Sequence, residues 1–197
     1  MKKIFIMCLI FSVCFSGAVA EQRNNPRIKV GQFFINQYAI GDIQPFATYS
    51  LGLGGYGHFY LPKDIPIVEN IGFSVNAVWQ NIKPAIGAIA AFNSTTLYGG
   101  IFYDFLLGTS GFSIQPEIGY GMAIHVYTTT QEALRKTDGV YVDQLINFSL
   151  RFDYSFPGFS RGNLEIALEP VYTIMPEQKA VVQFFGFKLG MSYGFPN

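Results

Sequence analysis

The sequence predicts an all-β fold, namely an eight-stranded antiparallel up-and-down transmembrane β-barrel. Large apolar residues alternate with small or polar ones along eight segments, and period-two alternation is typical of strands. Aromatic residues make up 17 % of the chain and charged residues only 13 %, whereas soluble domains average about a quarter charged. After the N-terminal segment, no apolar run approaches the roughly 20 residues of a transmembrane helix. These features favour strands whose apolar face meets lipid.

Residues 1–20 are predicted to be a signal peptide. The first three residues include two lysines, residues 4–15 are apolar, and residues 16–20 end in the small-x-small pattern that signal peptidase cleaves. An uncleaved membrane anchor is the alternative, but the apolar run is short for a spanning helix. The mature barrel domain is therefore predicted to cover residues 21–197.

Composition limits the chemistry of the mature chain. Cys8 and Cys14 both lie in the predicted signal peptide, which leaves no thiol for disulfides or metal ligation. Lipidation of Cys14 is a weak alternative, because Val13 is larger than the small residue usually found before a lipidated cysteine. Removal of Lys2 and Lys3 leaves 11 basic against 13 acidic residues, a formal charge of −2. This balance gives no electrostatic case for nucleic-acid binding.

The predicted strands follow one another at regular intervals. They span about residues 27–38, 46–61, 69–81, 94–107, 112–127, 140–155, 163–175 and 185–195. The first is ambiguous in phase, because Phe33 and Phe34 are adjacent. The second sets Thr48 and Gly52 on the face opposite Leu51.

The middle strands have clearer faces. The third alternates apolar residues up to Trp79 with polar or small ones. The fourth places Asp104 opposite the face of Phe105. The fifth has an unbroken apolar face from Phe112 to Val126. Each of these faces is long enough to line one side of a barrel wall.

The last three strands carry most of the inward charge. Arg151 and Asp153 lie opposite an aromatic face in the sixth strand. Glu165 and Glu169 lie opposite an aliphatic face in the seventh. In the eighth, Lys188 is the single charge among glycines and a serine, opposite six large apolar residues. The last strand therefore predicts lipid on one side and a polar interior on the other.

Prolines and loops complete the layout. Pro116 lies within the fifth strand and Pro170 within the seventh, and each predicts a bulge or an interrupted register because proline removes a ladder hydrogen bond. With both termini on the periplasmic side, outward loops are predicted at about 39–45, 82–93, 129–139 and 176–179. Periplasmic turns are predicted at about 62–68, 108–111 and 156–162. The short outward loops argue against a long-loop adhesin.

The chemistry of the two faces predicts which one points outward. A lipocalin-like soluble barrel, which holds its apolar face inside, and a soluble sandwich are the alternatives. The charge-free face carries aromatic residues mostly near strand ends, as in the aromatic girdles of membrane barrels: Trp79, Phe105, Phe112, Phe152, Tyr154, Tyr172, Tyr193 and Phe195. The other face mixes small residues with charges: Lys29, Asp104, Glu117, Asp143, Arg151, Asp153, Glu165, Glu169 and Lys188. The charged face therefore suits a small lumen.

Four charged residues form a candidate lumenal ion-pair cluster: Arg151, Glu165, Glu169 and Lys188. Hairpin geometry predicts Arg151 opposite Glu165, with Lys188 diagonal to Glu165 and Glu169. Because unpaired buried charges are costly, the cluster predicts a salt-bridged plug. The alternative is a gate or a polar lining for a small solute.

No catalytic, metal or cofactor site is predicted. A barrel deacylase needs a serine near its histidine, but His125 is followed by Val126-Tyr127, and His58 is the only other histidine. Glu165 and Glu169 lie four residues apart on one strand, about 13 Å at the usual rise, which is too far for glycosidase chemistry. The sequence therefore predicts that the protein is not an enzyme.

The C-terminal strand resembles the insertion signal of outer-membrane barrels. The signal consists of a polar residue, a glycine and two aromatic residues spaced by one, here Lys188, Gly190, Tyr193 and Phe195. The resemblance implies recognition by the outer-membrane barrel assembly machinery. The chain departs from the pattern by continuing to residues 196–197.

Over the whole mature region, the layout resembles small eight-stranded outer-membrane proteins of the OmpX, Opa and OmpW kind. This resemblance implies location in the outer membrane, with membrane lipid as a partner. It implies either a structural or surface-interaction role, whose extracellular ligand is unidentified, or an OmpW-like narrow channel for small or hydrophobic molecules. The channel needs apolar residues inside, and five inward positions supply them: Phe33, Val78, Tyr98, Phe102 and Leu106.

Overall fold

The computed structural model describes residues 28–61, 70–87, 89–108, 111–129, 139–156, 163–176 and 181–195. The strands are β1 (Ile28–Ile40), β2 (Ala47–Tyr60), β3 (Ile71–Pro84), β4 (Ile89–Tyr103), β5 (Phe105–Leu106), β6 (Phe112–Thr129), β7 (Gly139–Phe156), β8 (Asn163–Pro176) and β9 (Val181–Phe195). A single 3₁₀ turn, Gly41–Ile43, follows β1. Within these residues, no helix has the length and apolarity to cross a membrane. The predicted signal peptide lies outside them.

The strands close into one barrel. Each long strand pairs antiparallel with the next in sequence, β4 pairs with β6, and β9 pairs with β1. The two-residue β5 continues the line of β4 and pairs with β6. The predicted fold, a closed eight-stranded antiparallel up-and-down barrel, is confirmed, with β5 as one short extra strand. We call the end where β1 begins and β9 ends the terminal end, and the opposite end the loop end.

The register fixes how steeply the strands run around the barrel. One row of paired residues runs through all eight long strands: Lys29, His58, Ser74, Gly100, Gly119, Asn147, Thr173, Phe184 and Ala39. The row begins at residue 29 of β1 and returns to β1 at residue 39, a stagger of 10 residues. This stagger over eight strands corresponds to a tilt of about 40° and an interior just wide enough for side chains.

Alternation of burial confirms the predicted faces. The structure resolves the phase of β1, since Phe33 is 4 % exposed and points inward whereas Phe34 is 69 % exposed. The predicted face of Thr48 was wrong. Thr48 was predicted on the inner face, but the β2–β3 register shifts between Ala47 and Ser50, and this bulge leaves Thr48 exposed.

The second predicted loop was too long. Residues 82–93 were predicted as a loop, but β3 continues to Pro84 and β4 begins at Ile89. The turn is therefore short, and Ala85 donates its backbone N–H to the Phe46 carbonyl at 2.9 Å. Alternation is lost over Asn81 and Asn93, whose side chains hydrogen-bond across the hairpin at 3.1 Å. Because polar residues are typical of loops, this outward polar pair led to a predicted loop that was too long.

Both strand prolines interrupt a ladder, as predicted. Pro116 pairs with Leu150 of β7, but no pairing joins it to the β4 side, where contact resumes only at Ile114 with Phe105. Pro170 pairs with Phe187 of β9, while the β7–β8 ladder skips the two positions before Phe152. The missing proline N–H explains both interruptions.

Inward glycines make room for the aromatic rings that fill the lumen. A Cβ at Gly31 would overlap the Tyr56 ring, and one at Gly54 would overlap the Phe33 ring. A Cβ at Gly72 would likewise overlap the Phe102 ring. The narrow interior accepts large rings only because their neighbours have no side chain.

Replacing Gly186 by alanine is expected to destabilise the barrel. A Cβ at Gly186 would overlap the backbone of Asn36 and Gln37 on β1, which cannot move without opening the β1–β9 pairing. We expect a loss of about 1–3 kcal/mol in unfolding free energy, the usual range for overpacking. Urea unfolding in lipid vesicles measures it. Gly99→Ala is the matched control, because its Cβ would lie 3.5 Å from the nearest atom, and an equal loss in both variants would contradict the steric account.

Candidate functional site in the barrel lumen

Eight buried charged residues occupy the lumen between the terminal end and the middle of the barrel. We call them the lumenal network: Lys29, Asp104, Glu117, Arg151, Asp153, Glu165, Glu169 and Lys188. They come from β1, β6, β7, β8, β9 and the break between β4 and β5, because each of these segments directs alternate residues inward. Charges buried this deeply are stable only when they are paired and hydrogen-bonded.

Lys188 forms the first group of the network. It lies directly opposite Glu169 in the β8–β9 ladder, and its Nζ is 2.5 Å from Glu169 Oε1. The same Nζ donates to the Tyr98 hydroxyl at 2.8 Å and lies 5.0 Å from the centre of the Phe33 ring. The ammonium group therefore has a carboxylate, a hydroxyl and an aromatic face around it.

Arg151 forms the second group. Its Nε donates to Asp153 Oδ1 at 2.7 Å, and its Nη1 is 3.9 Å from Glu169 Oε2. Its Nη2 donates to the Tyr56 hydroxyl, and the guanidinium carbon lies 4.2 Å from the Tyr56 ring centre. Glu169 thus joins the Arg151 and Lys188 groups, because it contacts both cations.

Lys29 forms the third group, nearest the terminal end. Its Nζ is 3.0 Å from Glu165 Oε2 and 3.6 Å from Asp104 Oδ2. Tyr60 donates to Asp104 Oδ2 at 2.9 Å, and Ser155 donates to Glu165 Oε1 at 2.8 Å. All three cations therefore share one arrangement of carboxylate partners and a neighbouring tyrosine.

Glu117 has polar partners in place of a cation. Its Oε1 accepts hydrogen bonds from Ser74 at 2.8 Å and from Asn76 at 3.2 Å. Its Oε2 lies 3.8 Å from His58 Nε2. The His58 ring packs between Tyr56 and Phe102, with ring centres 4.5 Å and 4.6 Å away. These contacts make His58 part of the packed lumen.

The structure differs in pairing from the predicted four-residue cluster. Arg151 was predicted opposite Glu165, but Ser155 is the residue that pairs with Glu165. The β7–β8 register thus differs by four residues from the predicted one, and Arg151 lies beside Glu169 at the ladder interruption. Lys188 was predicted diagonal to Glu169 and lies directly opposite it. Glu165 instead contacts Lys29.

The sequence prediction missed the partners that come from distant strands. Lys29, Asp104 and Asp153 were recognised as inward but not as members of the cluster. Tyr56 and Tyr98 were not connected to the charges at all. Their inward phase was the available signal, but pairing between strands that are far apart in sequence requires the barrel stagger.

Towards the loop end, the charged side chains of the lumen are followed by uncharged polar ones and then by mostly apolar ones. Next to the network, Gln80 donates to Gln37 at 2.7 Å, Gln37 donates to Thr173 at 3.0 Å, and Thr173 donates to Asn147 at 3.1 Å. A cavity of about 10 Å³ lies among these residues. Ser94 and His125 are buried polar residues near the loop end. Most of the other buried side chains there, above this amide belt, are apolar: Ala39, Ala47, Ile82, Ala123, Leu145, Met175, Val182 and Phe184.

Of the five predicted inward apolar residues, Phe33, Val78, Tyr98 and Phe102 are buried, and Leu106 is half-buried. Phe33, Val78 and Tyr98 belong to one packed cluster, and Lys188 contacts both Phe33 and Tyr98. Phe102 packs against His58 and Tyr60. In the described lumen, the apolar side chains thus occupy space between polar groups.

The residues of the predicted C-terminal signal divide between the two faces. Lys188 is buried in the lumen, whereas Phe195 is 46 % exposed on the outer face. Tyr193 lies against Phe195, with ring centres 5.2 Å apart. Gly190 faces Phe33 of β1, where a Cβ would come within 2.9 Å of the Phe33 Cβ.

A depression of about 490 Å³ lies on the outer wall beside Pro116. Its lining is mostly outward and apolar, with two inward polar residues at its base: Ile71, Ile101, Phe102, Tyr103, Pro116, Glu117, Ile118, Phe148 and Ser149. It coincides with the ladder interruption between β4 and β6. The proline gap therefore brings the outer wall close to the polar lumen.

No arrangement for metal binding occurs in the described part of the chain, where no three His, Cys, Asp or Glu side chains cluster suitably. The second histidine, His125, lies at the loop end with its Nε2 3.5 Å from Asp143 Oδ2. Its ring packs edge-on against Phe92 at 5.5 Å. The absence of catalysis, metal and cofactor stays a prediction.

Comparison with known proteins relates the barrel to solved structures. No protein-family model matches the sequence, and no curated protein matches it. Neisserial surface protein A is 12 % identical, with a TM-score of 0.53 over 88 % of this chain and 100 % of that one. Outer membrane protein OprG from Pseudomonas aeruginosa is 11 % identical, with a TM-score of 0.52 over 88 % and 98 %. Ail, the attachment invasion locus protein of Yersinia pestis, is 11 % identical, with a TM-score of 0.51 over 88 % and 100 %.

The TM-scores and coverages, at such low sequence identity, show a shared fold alone. The neighbours are small eight-stranded outer-membrane barrels, the group that the sequence was found to resemble. None of the three names denotes an enzyme. The comparisons say nothing about the residues of the lumenal network.

Breaking the Lys188–Glu169 pair is expected to destabilise the barrel more than removing the whole pair. Lys188→Met removes the nearest cation from Glu169 and leaves it the Arg151 contact at 3.9 Å. A buried charge that loses its partner costs about 3–5 kcal/mol. Lys188→Met combined with Glu169→Gln is expected to recover part of that loss. Guanidinium unfolding in detergent micelles measures both variants.

Lys83→Met is the control, because Lys83 is exposed at the loop end of β3. We expect a change within about 0.5 kcal/mol for this surface substitution. A Lys188→Met variant as stable as the control, or a double variant with fully additive losses, would show that the pair is not coupled.

Proposed function

We propose that this protein is an integral outer-membrane β-barrel with a structural or surface-interaction role, whose lumen is plugged. In this proposal the chain is exported by cleavage near Ala20, recognised by the barrel assembly machinery through Lys188, Gly190, Tyr193 and Phe195, and embedded in outer-membrane lipid. The shared fold with small outer-membrane barrels supports the location. The proposal includes no catalytic activity.

The outer surface supports insertion into lipid. Each of the eight long strands exposes apolar outward residues, among them Leu51, Trp79, Ile118 and Leu189, which are each between 51 % and 58 % exposed. A soluble protein rarely exposes a contiguous apolar surface of this extent. A hydrocarbon environment removes the cost of that exposure.

The lumenal network carries the proposal of a plug. Its cations pair with carboxylates and also reach across the lumen, Arg151 to Tyr56, Lys188 to Tyr98 and Lys29 to Asp104. The amide belt and apolar side chains lie above it. An open conduit would need these charges to be hydrated, but Lys188, Arg151 and Lys29 are each at most 4 % exposed. A plugged barrel presents only its loops to the outside.

A second candidate is a narrow site for small apolar molecules, and one observation favours it. The 490 Å³ depression beside Pro116 is apolar, faces outward and reaches Glu117. Quenching of tryptophan fluorescence by a bromoalkane tests this site. Trp79→Phe removes the native tryptophan, Ile101→Trp places a probe inside the depression, and Leu168→Trp on β8 is the control. Stronger quenching of the Ile101→Trp variant supports the site, and equal quenching rules it out.

The refolded wild-type protein is expected to be heat-modifiable on gels and electrically silent in planar bilayers. Heat modifiability follows from a closed barrel that resists detergent unless it is heated. Silence follows from a lumen crossed by buried ion pairs. Single-channel recording and gel migration of the same sample measure both properties.

Each contrary outcome has a distinct meaning. Discrete conductance steps from heat-modifiable protein would overturn the plug and favour a conduit. A monomer that remains soluble without detergent would overturn the membrane location.

A further inference from the structure

Two outward amides of β1 break the apolar pattern of the wall, the exposed Gln32 and the half-buried Asn36. The other exposed non-aromatic polar residues of the described strands lie near the loop end: Thr48, Asn81, Lys83, Thr128 and Gln144. Gln32 is exposed in the lower middle of β1, opposite Gly55 on β2 and Met191 on β9. In hydrocarbon, an amide without a hydrogen-bond partner costs free energy.

A projecting ring lies beside this amide. Phe34, two residues along the same face of β1, has the largest exposed fraction among the large apolar residues, at 69 %. In β2 and β3, the neighbouring outward positions Gly55 and Ala77 are small. A Cβ at Gly55 would meet only the Gly31 carbonyl, at 3.4 Å, so the wall is shallow there. Gly57 borders this place, with the Phe59 ring 3.4 Å from where its Cβ would lie. We call Gly55 and Ala77 the hollow.

The ring and the hollow lie at the same depth. Gln32, Gly55 and Ala77 form one row of the register. The stagger of 10 residues over eight strands raises a row by about 1.25 residues per strand towards the loop end. Ala77, two strands away from Gln32, is therefore close to the depth of Phe34. A two-fold axis along the membrane normal relates residues of equal depth.

We propose that two copies of this chain associate side by side in the membrane through the β1–β3 wall. The axis passes over β2 near Gly55, so that Phe34 of each copy enters the hollow of the other. The two Gln32 amides then face each other across the axis. Because an amide both donates and accepts hydrogen bonds, a second copy satisfies it reciprocally, as polar residues do between membrane segments. The proposal rests on the membrane location proposed above.

Cysteine cross-linking in liposomes tests the contact. The predicted mature chain has no cysteine, so Val30→Cys and Ile118→Cys each carry a single thiol. Val30 is 43 % exposed on β1, two residues from Gln32 on the same face, so a thiol there keeps the amide. Ile118 is 53 % exposed on β6, on the opposite wall of the barrel. With a short bifunctional maleimide, we expect a covalent dimer from Val30→Cys and none from Ile118→Cys. Equal cross-linking of the Val30→Cys and Ile118→Cys variants would show random collision and overturn the proposal.

Two substitutions that introduce no thiol test the dimer contact itself. Gln32→Leu keeps the apolar wall but removes the amide, and we expect dimer dissociation to rise at least about fivefold, the equivalent of about 1 kcal/mol for a membrane hydrogen bond. Ala77→Phe fills the hollow and is expected to abolish the dimer. Förster transfer between labelled copies in bilayers measures both variants.

Heat-modifiable migration of every variant on gels distinguishes failure of the dimer proposal from failure of the proposed membrane location. Protein that inserts and stays monomeric at all protein-to-lipid ratios overturns the dimer alone. A Gln32→Leu dimer as tight as wild type also overturns it. Protein that does not insert into lipid refutes the membrane location itself.

Discussion

The narrow circumference of the barrel is the constraint on which the other features depend. Eight strands with a stagger of 10 residues leave an interior only as wide as the side chains that line it. Every inward residue must therefore fit against residues on strands across the lumen. Large rings such as Tyr56 and Phe33 lie against the inward glycines Gly31 and Gly54. Charges in this space have little water and must find their partners in the protein.

The lumenal network meets that requirement with one repeated arrangement. Lys29, Arg151 and Lys188 each contact at least one carboxylate and lie near a tyrosine. Glu169 joins two of these cations, so β7, β8 and β9 are connected through their side chains as well as through their ladders. This is the region where Pro170 interrupts the β7–β8 ladder. The ion pairs thus connect neighbouring strands where a backbone ladder is interrupted.

Local sequence features predicted most of the fold, because strand period and residue chemistry act over a few residues. The β6 apolar face and the Lys188 strand were recognised from alternation alone, and Pro116 and Pro170 from their missing N–H. The wrong predictions concern features that depend on pairing between strands. Thr48 faces outward because of a bulge, and Glu165 pairs with Lys29 because closure brings β1 beside β8 and β9. Neither effect is encoded within a single strand.

Accessibility of the lumen to water tests the plug most directly. Single cysteines at Asn147 and Ser149, two inward β7 residues beside the network, can be treated with a charged, membrane-impermeant thiol reagent in liposomes. Gly87→Cys, in the exposed β3–β4 turn, provides the reference rate. The plugged barrel predicts that both lumenal thiols stay unmodified until the protein is unfolded. Modification of either at the rate of the turn thiol would contradict it, because the reagent would then have reached a hydrated lumen.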